Sequence, residues 1–254
     1  MTPEFGQPRT AIVTGGARRI GAAFTRALGA DGWHVLIHCH RSLDAGDALA
    51  AELAGAKVVV ADLAAPDCDE TIFAALAGMP PPALLVNNAS RFDYDALDDF
   101  TVANWDAQMA INLRAPTLLI RRFADSVAKG AGGLVINMLD AKLIQPNPDF
   151  FSYTVSKFGL AGVTELAARV LAPRGIRVCG IAPGITLLSG PQSRDNFDSV
   201  HRMNALERGV TVDELVAALR FLIASPTITG HTITVDAGQR LLGLPRDVQF
   251  MVDQ

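Results

Sequence analysis

The feature that most constrains this chain is a strict alternation of two apolar rhythms. Short, nearly continuous apolar runs occur at 11–14, 34–38, 57–61, 83–86, 134–139, 177–181 and 232–235, with amphipathic stretches between them at 20–31, 43–53, 69–77, 105–127, 153–171 and 212–224. A strand covered on both faces shows no polar alternation, so the short runs predict a buried parallel sheet. Their alternation with helices predicts an α/β, doubly wound parallel sheet of about seven strands flanked by helices. At 254 residues the chain suits a single domain over 1–254. The breaker Gly78-Met79-Pro80-Pro81-Pro82 ends a helix before the fourth strand rather than dividing two domains.

Composition narrows the function classes. A net charge of -4 gives no reason to expect nucleic acid or an acidic membrane surface as a partner. No run of eighteen apolar residues predicts a membrane span, and the first ten residues lack a signal-peptide pattern. Cys39, Cys68 and Cys179 are odd in number and far apart, fitting neither a zinc site nor a disulfide framework. The expectation is a cytoplasmic protein with buried thiols and no metal.

In a doubly wound sheet, ligands bind outside the carboxyl ends of the strands. After the first predicted strand comes Gly15-Gly16-Ala17-Arg18-Arg19, and after the second His40-Arg41-Ser42. Asp62 follows the third, Asn87-Asn88-Ala89-Ser90 the fourth, Asp140 the fifth and Pro183-Gly184 the sixth. The unusual polar and glycine positions therefore converge on one edge.

The loop Thr14-Gly15-Gly16-Ala17-Arg18-Arg19-Ile20-Gly21 joins a strand to a helix. Such a loop offers bare N–H groups and a positive helix end to a pyrophosphate. It is not G-x-G-x-x-G, and a tight turn without a ligand is the alternative. Binding of NAD calls for an acidic residue at the end of the second strand. Here Arg41 and Ser42 stand there, with no carboxylate before Asp44. A guanidinium pairs bidentately with a phosphate, so the expectation is NADP. Arg41 as a solvated residue and Ser42 as a helix cap are compatible with that role. His38 and His40 share a face without further ligands, which suits packing or flanking of the cofactor better than a metal.

Tyr153 and Lys157 are four residues apart and share one helix face. An ammonium favours phenolate, so the spacing predicts a Tyr153 pKa below its ordinary 10 and a tyrosine fit for acid catalysis. Y-x-x-x-K alone is as compatible with surface packing. Taken in order, however, the glycine loop, Asn87-Asn88-Ala89, Tyr153 with Lys157, Pro183-Gly184, Thr229-Gly230 and Val235-Asp236 resemble the short-chain dehydrogenase/reductases over roughly residues 9 to 240. The resemblance implies a Rossmann-type fold, an NADP-dependent oxidoreductase and, as is usual in the family, a homotetramer.

Two departures from that family's pattern direct the reading further. Arg19 stands where the loop T-G-x-x-x-G-x-G has its middle glycine, and Asp140 stands thirteen positions before Tyr153, where most members carry serine. Both, with His40-Arg41-Ser42, Asn88-Ala89-Ser90, Phe92 and Ile136-Asn137-Met138, resemble the pteridine reductase branch. That resemblance implies cofactor contacts from Gly15, Arg18, Arg19, Ile20, His40, Arg41, Ser42, Asp62, Leu63, Asn88, Ala89, Ser90, Lys157, Pro183 and Gly184. It implies a pterin stacked on Phe92, polar edges held by Arg19 and Ser90, and proton handling by Asp140 and Tyr153. Lys157 is implied to hold the nicotinamide ribose, and Asn112 to support that lysine through water. Read without the resemblance, Asp140 could cap a nearby loop and Phe92 could be core.

Residues 185–207 follow the sixth strand and suit a lid over substrate, hinged at Gly190-Pro191. The apolar tail, 241–254, predicts burial at a subunit interface. The expected activity is NADPH-dependent reduction of a pterin C=N bond. The rivals are a ketone reductase such as a 3-oxoacyl carrier-protein reductase, and a nucleotide-binding regulator without catalysis.

Overall fold

The computed structural model describes residues 5–189 and 192–251. The strands are β1 (Thr10–Val13), β2 (His34–Cys39), β3 (Lys57–Val60), β4 (Pro82–Asn87), β5 (Gly133–Met138), β6 (Ile176–Pro183) and β7 (Thr232–Val235). They form one parallel sheet in the order β3-β2-β1-β4-β5-β6-β7. The strand order reverses between β1 and β4, which opens a crevice at their carboxyl ends.

The continuous apolar runs are explained by two cores, one on each sheet face. Val13, Val86 and Ile136 face one core, while Ile12, Leu85 and Val135 face the other. With both faces buried, polar residues in the central strands are few and paired, as where Asn87 Nδ2 donates 2.8 Å to Asn137 Oδ1. The edge strand β3 is less covered, and Lys57 turns outward to donate 2.8 Å to the Ala75 carbonyl. That carbonyl ends α3 (Cys68–Ala74), where an ammonium is favoured.

The other helices are α1 (Arg19–Ala30), α2 (Leu43–Ala51), α4 (Val102–Met109), α5 (Ala115–Ser126), α6 (Phe151–Leu171), α7 (Arg194–Val200) and α8 (Val212–Ala224). The stretch expected as one helix over 105–127 is α4 and α5 joined by a π-helical turn, Ala110–Arg114. The wider turn holds Asn112 almost fully buried beneath the crevice. Thr154, Ser156 and Lys157 are buried on α6, so the helix presents a polar face inward at its first turns. All three cysteines are buried. Among the described residues no helix is long and apolar enough to cross a membrane, and no group of three His, Cys, Asp or Glu could hold a metal.

The region expected to be a lid contains α7, whose Ser193 caps it by accepting from Asn196 N at 3.2 Å. The expected hinge, Gly190-Pro191, lies outside the described residues. The described part of the tail, which ends at Met251, packs against the rest of the chain, and 252–254 lie outside the described residues. Val248 is buried, Phe250 packs edge-on against Tyr94 with centroids 5.4 Å apart, and Asn196 Nδ2 donates 3.1 Å to Gln249 O. Helix α7 and the tail thus form one cover. Leu241 and Leu242 remain exposed.

Candidate active site

A cleft of about 830 Å³ opens at the carboxyl edge of the sheet. Of the residues expected to bind or react, all line it except Leu63, which is packed in the core, and Asn112, which lies beneath the floor.

The glycine loop is cut to fit bare backbone. Gly15 has φ +61°, and a Cβ on Gly21 would lie 2.1 Å from Gly15 O and 2.6 Å from Asn88 Nδ2. No side chain fits at Gly21. Thr14 Oγ1 accepts from the backbone N–H of Asn88 at 2.9 Å and of Ala89 at 3.0 Å, while Asn88 Nδ2 donates 2.9 Å to Thr14 O. The loop is therefore tied to the end of β4. Buried His38 ties it to β3: its Nδ1 accepts from Gly15 N at 3.2 Å and its Nε2 donates to Ala61 O at 3.1 Å. This assigns the neutral Nε2–H tautomer, and burial lowers the His38 pKa. His40 and Arg41 are exposed at the cleft rim. Ser42 precedes α2 but its side chain makes no capping bond. Asp62 Oδ1 accepts from Ala64 N at 2.8 Å.

Arg19 resolves its own anomaly in part. Its φ is 54°, the left-handed conformation that glycine adopts freely. An L-residue there costs about 1–2 kcal/mol. The guanidinium crosses the cleft mouth, donating 2.7 Å to Leu188 O and 3.2 Å to Ser189 Oγ. Arg19 thus latches the segment after β6 to the glycine loop.

The reactive cluster comes from β5 and α6. Tyr153 Oη donates 2.9 Å to Asp140 Oδ2, and Lys157 Nζ donates 2.7 Å to Met138 O. Asp140 Oδ1 also accepts from Lys142 N at 2.8 Å, capping a short turn, so its loop-capping and site roles coexist. The expected lowering of the Tyr153 pKa is not found. Burial, with the Asp140 carboxylate next, pushes it well above 10. Lys157 does lie 5.6 Å from the ring centroid, but burial lowers its own pKa to about 8. Spacing along α6 showed the lysine; it could not show a carboxylate brought in by β5.

Asn112 spends its amide on the loop after β4. Its Oδ1 accepts from Arg91 N at 2.8 Å and Ser90 Oγ at 3.1 Å, and its Nδ2 donates to Arg91 O at 2.9 Å and Ser156 Oγ at 3.0 Å. In this structure it positions Ser90 and Arg91. Phe92, half-buried, stacks on Phe150 with centroids 4.1 Å apart and meets Tyr153 edge-on at 4.7 Å. Phe150 itself holds a left-handed φ of 53°.

Sequence reasoning missed the tail's contribution. Buried Asp149 accepts from Arg246 Nη2 at 2.6 Å, Arg246 Nε at 3.2 Å and Asp247 N at 2.7 Å. This clamp brings Asp247, Val248 and Gln249 to the cleft wall with Lys142. Ninety-seven residues separate the partners, and only the acidic-basic composition of 246–247 hinted at it.

Comparison with known proteins assigns the class. The short chain dehydrogenase family model matches residues 9–196, and the chain belongs to that family. FolM alternative dihydrofolate reductase 1 from Brucella canis, solved in complex with NADP, is 38% identical with a TM-score of 0.90, over 94% of this chain and 96% of that one. Pteridine reductase 1 of Leishmania tarentolae is 31% identical, covering 91% of this chain and 96% of its own. A 3-oxoacyl-[acyl-carrier-protein] reductase of Synechocystis is also 31% identical, over 91% and 96%. The protein is an oxidoreductase of this family.

Proposed function

We propose that this protein reduces the C=N bond of a dihydropterin with NADPH. The observation that carries the reading is the Tyr153–Asp140 hydrogen bond at 2.9 Å inside the cleft. A ketone reductase needs a hydroxyl there to donate to a developing alkoxide. A carboxylate cannot donate; it suits a substrate with N–H groups and a nitrogen that must gain a proton. The NADP-bound relative and the pteridine reductase relative support the same choice.

The residues fit the dinucleotide. Gly21 lets the loop close on itself, with Gly15 O and Asn88 Nδ2 where a Cβ would lie, so Gly15, Arg18, Arg19 and Ile20 line the cleft together, and Arg41 and Ser42 stand where a 2′-phosphate needs donors. Bound there, NADPH supplies a hydride to the substrate carbon. Tyr153, held protonated by its high pKa, gives its phenolic proton to the substrate nitrogen. Asp140 accepts from that hydroxyl in the absence of substrate, and the proton turns from the carboxylate to the substrate nitrogen when the heterocycle binds. Lys157, an ammonium at neutral pH, offsets the charge left on the phenolate. Phe92 offers an aromatic wall to a flat heterocycle. Leu188 and Ser189, held by Arg19, stand at the mouth of the cleft beside it, and a cytoplasmic homotetramer completes the reading.

Oxidation of NADPH in the presence of dihydrobiopterin, dihydromonapterin or dihydrofolate tests this. Turnover of at least one to its tetrahydro form is expected; NADPH binding with no turnover of any pterin would overturn it. Light scattering that shows a monomer would remove the tetramer.

A further inference from the structure

One charged group at the substrate end of the cleft has no part in the chemistry above. Asp247 lines the cleft wall with Asp140, Lys142 and Tyr153, and its side chain is only 21% exposed. Its placement is built: Asp149 clamps both the Arg246 guanidinium and the Asp247 backbone N–H. Yet the carboxylate itself is poorly satisfied. Oδ1 accepts one long bond, 3.3 Å, from Gln249 N, and the nearest cation to Oδ2 is Lys142 Nζ at 3.8 Å, beyond hydrogen-bond reach. Burial raises its pKa while Lys142 pulls it down and Asp140 adds to the rise. A partly buried carboxylate short of protein donors at a cleft wall is matched by a ligand that brings them.

We propose that Asp247 is a substrate-binding residue that accepts hydrogen bonds from an amino or ring N–H edge of the heterocycle. The proposal rests on the pterin reading. Adjacent N–H donors form a planar fork that suits a carboxylate, as a guanidinium does. A ketone or thioester presents only acceptors and would leave two carboxylates, Asp140 and Asp247, facing lone pairs. Sites built to pair with a donor discriminate strongly against analogues that lack it. Asp247 therefore contributes to substrate choice from the tail, outside the family's catalytic motifs.

The test is equilibrium binding to the enzyme–NADP+ complex of two probes: 2,4-diaminopteridine, rich in donors, and the lumazine 1,3-dimethyllumazine, in which oxygens replace both amino groups and methyl groups replace both ring N–H protons. Asp247→Asn keeps the turn-capping oxygen and the side-chain volume. It is expected to weaken the diamino probe at least about tenfold and lumazine less than about twofold, with NADP+ affinity unchanged. Asp247→Ser, another turn-capping residue, should reproduce the loss if the asparagine variant folds poorly. Equal losses for both probes, or no loss for either, would overturn the role of Asp247. If the unsubstituted enzyme binds neither probe, the pterin reading falls with it.

Discussion

The hydroxyl of Tyr153 donates to Asp140 Oδ2 across 2.9 Å, so the tyrosine on α6 is aimed by a carboxylate at the end of β5 rather than by a hydroxyl. Asp140→Ser restores the residue most relatives of this fold carry. It replaces the carboxylate by a neutral hydroxyl, and the account predicts a fall in dihydropterin kcat/KM of about a hundredfold or more, within the range for losing a positioned proton-transfer group. NADPH affinity should hold within twofold. Steady-state kinetics beside a fluorescence titration of NADPH would show this split; a matching loss of both would assign Asp140 to folding.

Lys157 makes the second prediction. Its folded pKa of about 8 lies below the ordinary 10.5 because its ammonium is buried. Between those two values the unfolded chain holds more protons than the folded one, so this lysine destabilises the fold at neutral pH and relaxes as pH rises. The shift amounts to about 3 kcal/mol. Activity runs the other way: kcat/KM should fall as the ammonium is lost above about pH 8. Lys157→Met should abolish turnover while leaving Tm unchanged or higher at pH 7. A marked drop in Tm would contradict the cause given for the shift.

At Arg19 the backbone and the side chain make separate demands. Glycine takes the φ of 54° at no steric cost, whereas an L-residue there costs about 1–2 kcal/mol. Arg19→Gly should therefore keep the fold and bind NADPH, but release Leu188 and Ser189 and lose pterin turnover. Intact pterin turnover in this variant would show that the guanidinium is not needed at the cleft mouth.

Arg41 governs the choice of dinucleotide in this account. It is exposed at the end of β2, where a carboxylate would favour NAD. Arg41→Asp should weaken NADPH by tenfold or more, roughly the worth of a lost charge-assisted pair, and leave NADH little changed. Equal losses for the two cofactors would take Arg41 away from the 2′-phosphate.

The strands were legible because burial on both faces writes itself as unbroken apolar runs, as in Leu134-Val135-Ile136. Their ends gathered the cleft residues because a parallel sheet has one carboxyl edge. The π-turn around Asn112 was not legible: 105–127 keeps a helical apolar rhythm, and the widening depends on what Asn112 bonds across the crevice. Helix α7 was missed because seven residues, RDNFDSV, carry too short an apolar pattern. The direction of the Tyr153 shift depended on Asp140, thirteen residues away and on another element. Asp247 depended on a clamp between residues 149 and 246, which no local pattern encodes.

The most direct test of the central claim is the ratio of kcat/KM for a dihydropterin to that for an acetoacetyl thioester, measured with NADPH on the same preparation. The Tyr153–Asp140 pair, with the carboxylate in place of a donor, predicts a ratio well above one. Turnover of the thioester with none of the pterin would contradict the account.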